Sequence, residues 1–169
     1  RGIIMTVYAS KPEINVREKL NELSANQIRF EQGTFTPEII DNSGNKASYS
    51  YNAGFYQLVG GAVYVTIDLR NINSTGLVST DQLRINNLPF KAMKAENSLP
   101  STQVLNLKIQ NGVAFGGADH LIAQVNAGSD VCTLGYISSG NVSFSGVIID
   151  DINDGTNRDI WISGTYLIG

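Results

Sequence analysis

The sequence predicts an all-β fold, an antiparallel β-sandwich of the jelly-roll kind, preceded by a short N-terminal strand and helix. Three observations predict it. Asn and Gly number 17 each among 169 residues, so turn formers are dense. Val, Ile and Thr together supply 40 residues, and β-branched side chains suit a pleated, half-buried surface. Beyond Gly33, turn signals recur about every 8–12 residues, the cadence of short strands in a sandwich or jelly roll. The composition excludes other classes. A 42% hydrophobic share with a net charge of −3 argues against disorder. The acidic balance argues against a nucleic-acid partner. No apolar run approaches about 18 residues, so no helical membrane insertion is expected. A lone Cys132 forms no internal disulfide. Opening on Arg1 rather than Met, the chain is expected to be part of a longer one.

Residues 1–33 hold five basic and four acidic side chains and read as a linker. Gly2 to Tyr8 reads as a strand. Ser10-Lys11-Pro12-Glu13 has capping-box spacing: the Ser hydroxyl accepts from the third helical N–H, and Glu13 reaches back. Pro12 falls in the first turn, where its missing N–H costs nothing. Val16, Leu20, Leu23, Gln27 and Phe30 then follow at 4-3-4-3 spacing, which sets them on one helical stripe. A stripe this short serves either as an amphipathic helix on the domain's own sheet or as a parallel stalk where copies meet. In the stalk, Gln27 is the polar residue that fixes register.

The head is expected over residues 34–169. Residues 62–70 alternate, with Val63, Val65, Ile67 and Leu69 on one face and Tyr64, Thr66, Asp68 and Arg70 on the other. Residues 142–149 place Val142, Phe144 and Ile148 on one side, with Gly146 as a bulge. Val147 and Ile149 make the second face apolar as well. Residues 159–168 set Ile160, Ile162, Tyr166 and Ile168 opposite Trp161, Ser163, Thr165 and Leu167. Weaker strands are expected at 34–40, 48–51, 54–59, 82–86, 103–110, 120–126 and 131–137. Asn- and Gly-rich turns separate them, among them Gly60-Gly61 and Asn111-Gly112.

No enzyme is expected. His120 and Cys132 are the one His and the one Cys, and a nucleophile pair needs them adjacent. His120 instead falls on the polar side of its strand, and Cys132 reads as a small buried hydrophobe. Zinc wants several N or S ligands, which one His and one Cys do not supply. Asp150-Asp151-Ile152-Asn153-Asp154-Gly155 departs from an EF-hand, with Ile152 and Trp161 at ligand positions. The plain reading is an acidic hairpin turn. Asp150 and Asp154 are the metal candidates left over, and no cofactor is called for. Four neighbouring acids, Asp150, Asp151, Asp154 and Asp159, show no pair held at the separation glycoside cleavage requires.

Binding fits the residues better. Trp161 lies opposite Ile160 and Ile162 on its strand, Tyr49 and Tyr51 share one face, and Tyr64 stands opposite a valine row. Aromatic faces beside Asp and Asn suit sugar rings, which pack their C–H groups on the ring and hydrogen-bond the polar neighbours. The competing reading buries these faces between sheets or subunits.

Gly33-Thr34-Phe35-Thr36-Pro37, Gly54-Phe55-Tyr56-Gln57-Leu58-Val59-Gly60, Val63-Tyr64-Val65, Leu83-Arg84-Ile85 and Leu88-Pro89-Phe90 occur in that order. Together they resemble a module at the C-termini of bacteriophage tailspikes and tail fibres. Val16-Arg17-Glu18-Lys19-Leu20-Asn21-Glu22-Leu23 resembles the linker helix that leads into it. The resemblance covers the helix and about the first 60 residues of the β region. It implies a β-sandwich at the distal tip of a homotrimeric fibre on the virion, with Val16, Leu20, Leu23, Gln27 and Phe30 as the trimer seam. It implies trimerisation and contact with host surface polysaccharide or lipopolysaccharide. Where such a protein cleaves polysaccharide, the resemblance implies catalytic residues in an upstream β-helix, so none is carried over. The alternative is a monomeric carbohydrate-binding module of a secreted bacterial enzyme, with Trp161, Tyr49, Tyr51 and Tyr64 as its platform.

Overall fold

The computed structural model describes residues 29–94, 102–110, 118–138, 144–152 and 158–169. Ten strands lie among them: β1 (Phe30–Phe35), β2 (Glu38–Ile40), β3 (Tyr51–Val59), β4 (Ala62–Ile72), β5 (Arg84–Asn86), β6 (Thr102–Gln110), β7 (Ala118–Asn126), β8 (Cys132–Ser138), β9 (Phe144–Gly146) and β10 (Arg158–Leu167). A 3-10 turn spans Ile149–Ile152. The strands join in the order β1-β3-β4-β10-β6-β7-β8-β5-β2, with β9 on β8, and every pairing is antiparallel.

Alternation decides which face turns inward. In β4, Val63, Val65, Ile67 and Leu69 are buried, and β10 lays Ile162 against Ile67 and Ile160 against Leu69. Leu105 and Leu107 of β6, Ala123 and Val125 of β7, and Cys132 and Leu134 of β8 continue the same face. One sheet hides an apolar face this long by curling over it. The expected sandwich has two layers; the strand path here is a single curled sheet. β10 is the reason, because it hydrogen-bonds β4 on one side and β6 on the other.

Several expected boundaries move. The run 34–40 divides at Thr36-Pro37, because Pro37 has no N–H to give a ladder. The two halves, β1 and β2, stand at opposite ends of the strand order. Phe30, expected on the helical seam, is instead the first residue of β1, opposite Val59. Its neighbours Glu31, Gly33 and Phe35 alternate inward, a period-2 pattern that a helix cannot satisfy. Val16, Leu20, Leu23 and Gln27, and the strand at 2–8, lie outside the described residues. The strand expected over 142–149 ends at Gly146. Val147 and Ile149 both enter the core, and the chain then tightens into the 3-10 turn.

Two local devices hold the curl. Tyr166 is fully buried; its hydroxyl donates to Phe90 O at 2.9 Å and accepts from Phe90 N at 3.3 Å. The segment Leu88–Met93 is thereby tied across the core. Backbone bonds from Leu88 N to Asp130 O and from Ala92 N to Ser129 O tie it further. Phe90 meets Tyr56 edge-on, with ring centroids 5.3 Å apart. The second device is Asp41, which is also fully buried. Its carboxylate accepts from Ser43 N, Asn45 N, Asn45 Nδ2 and Val78 N, so one side chain pins its own turn to the 73–81 loop. Desolvation pushes that carboxyl up, but the hydrogen bonds outweigh it and hold it below the ordinary Asp range.

Candidate functional site

The outward residues of β1, β3, β4, β10 and β6 fall into rows across the strands. One row runs Thr34, Phe55, Thr66, Ser163, Asn106. The next runs Ala53, Asp68, Trp161, Lys108. Beyond it, Tyr51 stands opposite Arg70. A bulge in β4 helps here: Asn71, with φ 50°, is the extra residue, and Arg70 and Asn71 both face solvent.

These rows line an open groove of about 700 Å³. β3 contributes Tyr51 and Phe55, which are 50% and 40% exposed. β10 and β6 contribute Trp161 and Lys108, whose Nζ stands 5.0 Å from the indole centroid. Thr66 and Asp68 of β4 lie between them. Asp68 accepts three hydrogen bonds from the Arg70 guanidinium at 2.6–3.1 Å, and Arg70 lies 5.2 Å from the Tyr51 ring centre. The hydrogen bond to Asp68 raises the Arg70 pKa further, so the guanidinium stays charged at any physiological pH. The site therefore offers aromatic rings, one neutralised ion pair and one cation beside a row of short polar side chains. Aromatic ring faces can pack on C–H groups, and short polar side chains can hydrogen-bond hydroxyls.

Of the residues singled out from sequence, Trp161 and Tyr51 meet at this groove. Trp161 is half-buried on the outer face rather than sealed between layers. Tyr64 is on the same face, 42% exposed, beside Gln57 and Thr165 and outside the groove lining. Tyr49 does not join them. It precedes β3, packs on the core, and its hydroxyl accepts from Ile39 N. Burial pushes its phenol up to about 12. Phe55, Lys108 and the Thr66–Ser163–Asn106 row escaped sequence reading. Phe55 was within reach, because strict alternation back from buried Leu58 turns residue 55 outward; the others needed the register.

The remaining chemistry is dispersed. His120 pairs with Ile137 and Cys132 with Val125, five residues apart along each strand, or about 17 Å. His120 is exposed, whereas Cys132 is fully buried and desolvation drives its thiol pKa upward, away from a reactive thiolate. Asp151 accepts from Ile148 N and Asp159 from Asn71 N, both at 2.9 Å, so each caps a backbone amide. Among the described residues no group of three His, Cys, Asp or Glu side chains is placed to hold a metal ion. Asp150 is exposed, and Asp154 lies outside the described residues.

No known family's sequence profile matches this chain, and no curated protein matches it. Among solved structures, the crystal structure of the Dettilon tailspike protein is similar, with a TM-score of 0.55 at 16% identity. The match covers 81% of this chain and 23% of that one, so the chain spans less than a quarter of its neighbour's length. At that identity the likeness is one of fold: the curled antiparallel sheet described above is similar to part of a phage tailspike.

Proposed function

We propose that this chain is the C-terminal trimerisation and host-surface glycan-binding domain of a phage tail fibre or tailspike. It stands at the distal tip of the virion's fibre or spike and is non-catalytic in itself. The observation that carries the reading is the groove of Trp161, Phe55 and Tyr51 amid polar side chains on the outer sheet face. The fold's likeness to a tailspike supports it. The trimer draws support from a different part of that face. Phe30, Val59 and Leu167 lie in one transverse row with Ala62 and are 61%, 49% and 42% exposed. A contiguous exposed apolar row is the kind of surface a second chain covers. In the sequence, Val16, Leu20, Leu23 and Gln27 keep the spacing of a seam that would start three chains in register.

Two measurements test this. Light scattering at micromolar concentration is expected to return a mass near three times 18.2 kDa. The same sample, on an array of bacterial surface polysaccharides, is expected to bind without shortening them. A trimer that binds no polysaccharide overturns the receptor role. A monomer that binds one favours the carbohydrate-binding module, which would use the same groove. Shortening of the polysaccharide overturns the non-catalytic assignment.

A further inference from the structure

We infer that the groove takes an internal stretch of a linear polysaccharide laid across the strands, about four sugar units long, rather than a single terminal sugar. The inference rests on the glycan-binding reading and adds the ligand's direction, length and mode of engagement.

Shape is the first reason. The groove lining reaches across five strands, from Thr34 on β1 to Asn106 on β6. Along any one strand it covers at most three outward positions, Tyr51, Ala53 and Phe55 on β3. The long axis therefore crosses the strands. Neighbouring strands lie about 4.8 Å apart, so the row from Thr34 to Asn106 spans about 19 Å. A unit of an extended sugar chain advances by close to one strand spacing, which gives the four-unit estimate.

Chemistry is the second reason. Thr34, Thr66, Ser163 and Asn106 make no side-chain hydrogen bond to any described residue. They repeat strand by strand in register, with Phe55 taking the one intervening place. A polymer offers hydroxyls at the same repeat. Phe55 and Trp161 stand two strands apart, about 10 Å across the strands, and two residues, about 7 Å, apart along them, so a chain crossing the groove obliquely meets both rings two units apart. Continuity is the third reason. Among the described strands β1 is the edge of the sheet, so no described strand beyond Thr34 closes that end of the groove to a longer chain.

The test uses fragments of two to eight units cut from the polysaccharide that binds most tightly on the array, titrated calorimetrically against the whole protein. Affinity is expected to climb to four units and level off beyond. The double variant Thr66→Val, Asn106→Ala is expected to weaken four-unit binding about tenfold, the loss of two hydrogen bonds. Its melting temperature should stay unchanged, because neither side chain hydrogen-bonds a described residue. A plateau already at one or two units overturns this inference and leaves the glycan reading standing. So does undiminished four-unit binding in the folded double variant. Failure of every polysaccharide on the array overturns both.

Discussion

Replacing Trp161 with Ala is expected to weaken polysaccharide binding about thirtyfold, which is the roughly 2 kcal/mol lost when a central aromatic contact is truncated. The fold should survive the change. Trp161 points outward from β10, while its strand neighbours Ile160 and Ile162 supply the core side. Losing the indole also frees Lys108, but a cation–π contact at an exposed site contributes only about 0.5–1 kcal/mol. Binding and stability therefore separate cleanly in this variant. Trp161→Phe keeps a ring in place and should recover part of the affinity. Unchanged binding by a folded Trp161→Ala protein would move the site away from the groove.

The largest effect on stability is expected at Tyr166. Tyr166→Ala removes a fully buried ring and should cost about 3–5 kcal/mol, the range for aromatic truncation in a core. For a chain of this size that is a fall of about 6–20 °C in melting temperature. Tyr166→Phe isolates the hydroxyl. It leaves Phe90 O and Phe90 N without their partner and should cost about 1–3 kcal/mol. The same hydroxyl sets an alkaline limit. Burial raises its pKa to about 12, with the hydrogen bond to Phe90 working against the rise. An unfolded tyrosine ionises near 10, so the folded chain keeps a proton that the unfolded chain gives up. Stability from this group is intact below about pH 10 and is lost as pH climbs toward 12. Tyr49, raised to about 12 by burial as well, adds to the same window. Denaturant unfolding at about pH 9 and about pH 11.5 measures the drop, and Tyr166→Phe should shrink it. A pH-independent stability across that window would mean the hydroxyls are solvated rather than buried.

Much of this sheet is legible along the chain because its strands alternate. β4 could be read residue by residue, since Val63, Val65, Ile67 and Leu69 are all inward and bulky. β10 was equally plain. What periodicity does not contain is partnership. Nothing within residues 158–167 says that the strand lies between β4 and β6, and that placement is what makes one curled sheet. Phe30 shows a different ambiguity. A single apolar residue can complete a 4-3-4-3 helical stripe or open a period-2 strand, and the pairing opposite Val59 decides between them. Val147-Ile148-Ile149 is apolar throughout, so alternation could not tell a strand from the turn that follows it. The site divides the same way. Trp161 and Tyr51 could be singled out as aromatics on polar strand faces. Tyr49 has the same local signature, but its hydroxyl is engaged by Ile39, ten residues away on another strand. Thr66, Ser163 and Asn106 are unremarked polar residues in sequence and become a row only through the register.

The central claim is that polysaccharide binds the outer-face groove, and chemical-shift mapping tests it most directly. A four-unit fragment of the tightest-binding polysaccharide is titrated into isotope-labelled protein. The claim predicts that the largest shifts fall on the Trp161 indole N–H and on the amides of Thr66, Ser163 and Asn106, with the core amides of β8 unmoved. Saturable binding whose shifts gather elsewhere, around His120 or the 3-10 turn, with the Trp161 indole still, would contradict it.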